Sequence, residues 1–316
     1  DYNTEINVDE IGICTIISKN YLSYARVLTE SFLKYNKGEV FVMLTDRIDG
    51  YFDPKDEKFT LIEIDAIRDR IPDFDKFCFQ YNITELNTAV KPFFMEFLFE
   101  KCQLKKLIFF DPDILITHKL DDLFDLLDKF SIVLIPHITQ PYPDNHKPSE
   151  IDILQSGVYN MGFIALSNTD STKKLLCWWK DRLRSYCSID LQKGLFVDQK
   201  WINLIPGFFD DVFILRDDSY NIAYWNFHYR KVYIEDGKIL VNDGRPAHFL
   251  HFSGLNPEKI NSISRHQDRF SLKDLKYMKP VFELYKNLLV AYGYFENRNW
   301  PCVFSCFNDG VKIPDV

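Results

Sequence analysis

The stretch Leu107 to Ile116, LIFFDPDILI, constrains this 316-residue chain more than any other. Four apolar residues lead into Asp111-Pro112-Asp113, and an apolar run resumes with Ile114, Leu115 and Ile116. A short, continuously apolar run bounded by a turn signal reads as a buried strand. Pro112 cannot donate to a central sheet ladder, so pairing should stop or bulge there. Two carboxylates one residue apart at the mouth of a buried strand repel each other and lose hydration unless a cation lies between them. A divalent metal with oxygen ligands relieves both costs, so this stretch is the expected reaction centre.

Strand and helix signals alternate around it. Ile11 to Ser18 is β-rich, and Tyr21 to Tyr35 carries apolar residues at helical spacing, with Ser18 or Asn20 as its expected N-cap. Val40 to Asp46 and Phe59 to Asp65 read as further strands. This order predicts an α/β fold with a mostly parallel sheet and crossover helices. Ligands in such sheets sit beyond the carboxyl ends of the strands, where Thr15, Ser18, Tyr21, Asp46 and Asp65 would lie. Asn87 to Cys102 reads as a helix with Pro92 in its first turn, which aims Lys91 and a helix N-terminus at the sheet edge. That suits an anionic ligand; at this point an ordinary solvated lysine explains Lys91 equally well.

Further along, Leu120 to Lys129 reads as a helix and Ser131 to His137 as a strand, followed by a polar segment from Ile138 to Glu150 that is either a loop over a site or an insertion. Val158 to Ser167 is strand-like, and Asn160 and Gly162 within it predict close approach of backbone or ligand. A helix is expected over Thr172 to Tyr186, and a second one starts at Asp198 and Gln199, where Asp198 serves most simply as a cap. The Glu235-Asp236-Gly237 turn predicts a hairpin. The run then ends in His248, His251 and Gly254, with Asn256 and Lys259 behind, and turns helical from Ser271.

Composition excludes some functions. A formal net charge of -8 argues against nonspecific nucleic-acid binding, which needs clustered positive charge. No apolar stretch reaches the length of a membrane span, and no signal peptide is read. Since the chain begins at Asp1, a removed leader or preceding domain is an expectation. Seven scattered cysteines suit a reduced cytoplasmic protein with buried thiols, and Cys302 and Cys306 read as structural because no further cysteine or histidine nearby completes a zinc site. Aromatics at 16% suit a thick core, a sugar-binding surface or a partner interface without choosing among them.

The ordered set CTIIS, TAVKPFFMEFL, FFDPDILI, YNMGFIALS, VDQ and HFSGLNPEK resembles GT-A type glycosyltransferases, particularly those like family eight. It covers roughly residues 11 to 260. The resemblance implies a Rossmann-like, mostly parallel sheet flanked by helices, with a small antiparallel hairpin region and a C-terminal helical extension. It implies domain bounds of 1–265 for the transferase unit and 266–316 for a helical, aromatic extension that leads towards a further domain. It also implies a UDP-sugar or related nucleotide-diphosphate donor, a glycan-type acceptor and Mn²⁺ or Mg²⁺ as cofactor.

Residue by residue, Asp111, Asp113 and His251 resemble the metal ligands, with His248 as the alternative to His251. Thr15, Ser18 and Tyr21 resemble the rim that holds the nucleoside, and Lys91 the basic residue behind the diphosphate, although an arginine is the more usual residue there. Gly254, Asn256 and Lys259 would face the phosphates; Pro257 stands where the family's lysine would fall. Asn160, Gly162, Asp198 and Gln199 would surround the donor sugar, and the Asp198-Gln199 pair leans towards retention of anomeric configuration. Tyr220, Trp225, Asn226 and His228 form a candidate acceptor platform, with core packing as their other use.

The expected activity is thus metal-dependent glycosyl transfer in polysaccharide biosynthesis. A nucleotidyltransferase or phosphoester hydrolase, and a silent sugar-binding module of a glycan-assembly protein, are the alternatives. CTIISKNY lacks the glycine that a phosphate-binding loop would need, which weighs against the former. No nucleic-acid partner is expected, and a neighbouring domain or membrane-associated glycan-assembly partner is. The setting is cytoplasmic, extending to the inner face of a membrane.

Overall fold

The computed structural model describes residues 10–259, 261–305 and 311; Cys306 and the first nine residues lie outside them. The strands are β1 (Ile11–Ile17), β2 (Glu39–Leu44), β3 (Thr60–Glu63), β4 (Lys106–Phe110), β5 (Ile114–Ile116), β6 (Ile132–Leu134) and β7 (Phe163–Ser167). They continue with β8 (Ile189–Asp190), β9 (Leu195–Phe196), β10 (Val212–Ile214), β11 (Val232–Glu235), β12 (Lys238–Val241), β13 (Arg245–Pro246) and β14 (Phe249–His251). Seven strands form the central sheet in the order β10-β6-β7-β4-β1-β2-β3. Its pairs are parallel except where β7 runs antiparallel to β4 and β6.

Alternation along β4 explains why this sheet is covered on both faces. Leu107 and Phe109 enter one apolar cluster, whereas Ile108 and Phe110 enter another. Side chains of a strand point alternately to opposite faces, so four consecutive apolar residues need two cores. Helices α1 (Leu22–Tyr35), α2 (Phe74–Gln80), α3 (Ile83–Ala89), α4 (Lys91–Lys101), α5 (Asp121–Leu126), α6 (Glu150–Ser156) and α7 (Asp170–Leu183) follow in order. Phe93, Phe94 and Leu98 of α4 and Trp179 of α7 fill the first cluster, and Leu22, Leu28 and Phe32 of α1 fill the second.

The single helix expected over Asn87 to Cys102 is two. A capping box between Asn82 and Glu85 starts α3, Val90 separates the two helices, and Pro92 at the second position of α4 costs nothing because its missing N–H has no helical partner there. Burial of Phe93, Phe94, Met95 and Leu98, worth roughly 1.5–3 kcal/mol each, draws the start of α4 into the core with Lys91. Nor does Ser18 cap α1: its hydroxyl donates to Asn20 Oδ1 at 2.6 Å, and a short 3-10 turn over Lys19–Tyr21 precedes the helix.

The strand expected from Val158 begins only at Phe163, so Asn160 and Gly162 sit in the turn that enters β7. The hairpin is formed by β11 and β12, with Asp236 and Gly237 at φ 49° and 73° in its two-residue loop. A third apolar cluster joins this hairpin to α1 and to α9 (Lys279–Ala291), through Val232, Ile239, Val27, Phe282 and Tyr285. Helices α8 (Ile205–Phe208) and α10 (Tyr294–Asn297) are short. Among the described residues, no helix is long and apolar enough to cross a membrane.

Candidate metal and donor site

The expected reaction centre lies where β4 ends. Ile114 N donates to Asp111 O at 3.2 Å, closing a four-residue turn in which Pro112 takes the second place, where its fixed φ is preferred. The chain leaves this turn as β5 and pairs antiparallel with β14, which sets His251 opposite Ile114. Phe252 N donates to Asp113 O at 2.9 Å and fixes the register at the turn itself.

His251 Nε2 consequently lies 2.9 Å from Asp113 Oδ1 and 3.7 Å from Asp111 Oδ2. One ligand atom from each of the three residues falls within 4.8 Å of the others. Gly162 makes room for them: a Cβ there would come within 2.4 Å of His251 Cε1 and 2.8 Å of Asp111 Oδ2. His248, the alternative ligand, faces elsewhere, stacked on Tyr220 at 4.0 Å with Nδ1 3.0 Å from Ser219 Oγ.

The donor set fits a divalent cation. Asp113 Oδ1 is buried without a hydrogen bond, although His251 Nε2 lies 2.9 Å away. On the other side of the ring, Nδ1 lies 3.2 Å from Asn160 Oδ1, an acceptor that keeps the proton on Nδ1 and leaves Nε2 with a lone pair. Two carboxylates and an imidazole nitrogen with their electron pairs converging suit Mn²⁺ or Mg²⁺. Burial pushes Asp111 up to about 6, against the pull of Lys91 and His251, and a cation would reverse that shift. Burial also opposes protonation of His251, but Asp113 and Asp111 outweigh it and hold the imidazole above its ordinary value.

A chain of amides and rings fixes this arrangement from behind. His137 Nδ1 donates to Val158 O at 3.1 Å, so its Nε2 accepts from Asn160 Nδ2 at 3.3 Å. Asn221 Nδ2 donates to Asn160 Oδ1 at 3.2 Å. Burial holds His137 down to about 4, which keeps it neutral and able to accept. Trp225 stands edge-on to His251 and to His137, with ring centroids at 5.2 and 5.1 Å.

Lys91 and Asp198 meet beneath the site. Lys91 Nζ lies 2.5 Å from Asp198 Oδ2, donates to Met161 O at 2.8 Å and stands 4.1 Å from the centre of the Phe109 ring. Asp198 is therefore an ion-pair partner and not the cap that its position suggested; the 3-10 helix after it spans Lys200–Leu204. Gln199 accepts from Met161 N at 3.0 Å and donates to Ser156 O at 3.0 Å. Lys91, Asp198 and Gln199 thus clamp the turn that carries Asn160, Met161 and Gly162.

Two clefts open beside the three ligands. The larger, about 980 Å³, is lined by Tyr21, Asp113, Gly254, Asn256, Lys259 and Arg265 among others. Tyr21 is 41% exposed and stacks on Tyr24 at 4.8 Å. The smaller, about 220 Å³, lies between His137, Asp152, Ser156, Tyr224, Trp225 and His266. Thr15 is buried within β1, and its hydroxyl has no hydrogen-bond partner. Of the other rim residues, Asp46 is buried in an ion pair with Lys19, and Asp65 pairs with Arg68.

The four residues expected as an acceptor platform are divided. Trp225 reaches the smaller cleft, but Tyr220 is buried against His248. Asn226 is buried, accepting from Ala223 N and donating to His137 O and Asn221 O. His228 lies against Tyr142 with its Nε2 near Gln140 O. Sequence reasoning missed His137, Asn221, Tyr224, Arg265 and His266. An isolated polar residue in an aperiodic segment leaves no spacing signal, and only the fold gathers these.

No protein-family model matches the chain. It is 26% identical over 283 residues to the uncharacterized protein YfnF of Bacillus subtilis (strain 168), covering 87% of this chain and 90% of that one. Among solved structures it is similar to the glycosyltransferase GlyE of Streptococcus pneumoniae TIGR4, at 14% identity and a TM-score of 0.51. That match covers 94% of this chain and 66% of GlyE, so the chain spans just under two thirds of that protein's length. The bifunctional glycosyltransferase WbbM matches 87% of this chain with 49% of its own, at 12% identity and a TM-score of 0.50. With its mostly parallel sheet, flanking helices and Asp-x-Asp turn, the chain has the fold of the GT-A glycosyltransferases.

Proposed function

We propose that the protein transfers a sugar from a nucleotide-diphosphate donor, a UDP-sugar in the first instance, to a glycan-type acceptor, with Mn²⁺ or Mg²⁺ bound by Asp111, Asp113 and His251. The convergence of these three side chains at the head of the central sheet, on the border of the larger cleft, carries the reading. The cation, when bound, would act as a Lewis acid on the diphosphate leaving group. Tyr21 would meet the nucleoside, with Thr15 and Ser18 earlier in the same segment, and Asn256 would meet the phosphates.

The sugar would occupy the smaller cleft, against Trp225 and Tyr224. We favour retention of configuration. Asp198 is committed to Lys91 and is poorly placed to act as a general base for inversion, while the amides of Gln199 and Asn160 hold the turn that would face the sugar. Buried thiols at Cys14, Cys78 and Cys187 suit a cytoplasmic setting, and a glycan acceptor suits polysaccharide synthesis at the inner face of a membrane. Residues 1–265 would form the transferase unit and 266–316 its helical extension.

The test is direct. Incubation with MnCl₂ and a panel of sugar nucleotides should release nucleoside diphosphate, and EDTA should stop it. Release of nucleoside monophosphate would instead indicate phosphoester chemistry. Silence, with no thermal shift by any sugar nucleotide, would indicate a binding or scaffold module.

A further inference from the structure

The nucleoside diphosphate formed as the sugar leaves carries more negative charge than one divalent cation cancels, so a site of the kind proposed above is served by a basic side chain as well. Two candidates, Lys259 and Arg265, line the larger cleft, and both are exposed. Their backbones are held very differently.

Lys259 stands on a turn braced outward. Its carbonyl accepts from Lys286 Nζ at 2.6 Å and from Ser262 N at 3.1 Å, while the preceding Glu258 pairs with Arg298 and Tyr294 of the C-terminal helical region. Arg265, by contrast, is held against the segment that follows the metal strand. Its N–H donates to Gly254 O at 3.0 Å, three residues beyond His251. The flanking residues press so tightly on Gly254 that a Cβ there would come within 2.5 Å of His266 Cδ2 and 2.7 Å of Ser264 Oγ.

The side chain is steered too. Arg265 Nε donates to His266 Nε2 at 3.3 Å, and His266 N donates to Ser264 Oγ at 3.1 Å. His266 borders both clefts, so a guanidinium tethered to it stands near their junction. The electrostatics agree: after burial, Tyr21 and His266 each respond to both Asp113 and Arg265.

We propose that Arg265, oriented by His266, binds the diphosphate oxygens on which negative charge develops as the sugar leaves, and that Lys259 does not. A guanidinium presents a planar fork to phosphate and stays charged at any working pH, which suits a partly exposed cleft. The inference rests on the nucleotide-sugar reading of the same site.

Titration calorimetry with MnCl₂ and UDP, GDP, CDP, dTDP and ADP identifies the diphosphate that binds, and its monophosphate serves as the control. Arg265→Gln should weaken the diphosphate roughly 10- to 100-fold, with the monophosphate changed far less. Arg265→Lys should recover part of the loss, and Lys259→Gln should stay near the wild type. Arg265 is exposed, so the variants should melt with the wild type; if Arg265→Gln unfolds, Arg265→Lys carries the test with a smaller loss. Wild-type diphosphate affinity in the Arg265 variants, or loss of it in Lys259→Gln, overturns the assignment alone. Failure of the wild type to bind any of the five diphosphates overturns both this assignment and the nucleotide-sugar reading.

Discussion

The ammonium of Lys91 lies 2.5 Å from Asp198 Oδ2, and each side chain is only 2% exposed. A buried pair of this kind is costly to break, because removing one partner leaves an uncompensated charge in the core. Asp198→Ala should therefore lower stability by about 3–5 kcal/mol, read as a shift in the urea midpoint. The double variant Lys91→Met, Asp198→Leu should recover much of that loss. If it is no more stable than Asp198→Ala, the buried-charge account of the pair is wrong.

Asn160 controls which nitrogen of His251 faces the two aspartates. Asn160→Ala should weaken Mn²⁺ binding roughly 10- to 100-fold, the usual cost of removing the group that orients a ligand histidine. Asp113→Ala should abolish binding outright. Calorimetric titration with MnCl₂ checks both, and undiminished binding by Asn160→Ala would remove the orienting role.

Gly162 offers a steric test of the same centre. An alanine there has no backbone penalty to explain a defect, but its Cβ would overlap His251 Cε1. Gly162→Ala should lose metal affinity and nucleoside diphosphate release together, with a melting temperature that falls by only a few degrees for roughly 1–2 kcal/mol of strain.

The depressed value of His137 predicts an acid weakness. Folded, it titrates at about 4; unfolded, near 6.5. Between these values the unfolded chain binds more protons, so the contribution of His137 is intact above pH 6.5 and disappears as pH falls towards 4, by roughly 3 kcal/mol in all. His137→Gln should lose less stability than the wild type between pH 7.5 and pH 4.5 when urea midpoints are compared. Equal losses in both proteins would show that another group is responsible.

Local chemistry made part of this molecule legible. The continuously apolar run in LIFFDPDILI, the turn at Pro112 and the Asp236-Gly237 hairpin each act over a few residues, and each has its structural counterpart. The break at Val90 was hidden because α4 follows α3 directly, with Val90 itself in helical conformation between them. Longer-range relationships left no local trace. Nothing near His251 announces that β14 will pair with β5, and nothing near Asp198 announces Lys91. Tyr220 and Asn226 look alike on paper with Trp225 as sugar-binding residues, yet all three are buried and Trp225 alone of them borders the smaller cleft. The loop that brings Arg265 back onto Gly254 is polar and aperiodic, so only its folded path gives it meaning.

The pairing of β14 with β5 also orders events in time. Asp111 and Asp113 leave the ribosome long before His251, and until the later strand docks there is a carboxylate pair but no third ligand. On the proposed reading, high-affinity cation binding would wait for the most distant contact of the site to close, a slow kind of contact to form. A cation that binds only the finished centre stabilises the completed chain over its partly folded precursors by mass action, and so rewards the last step of assembly.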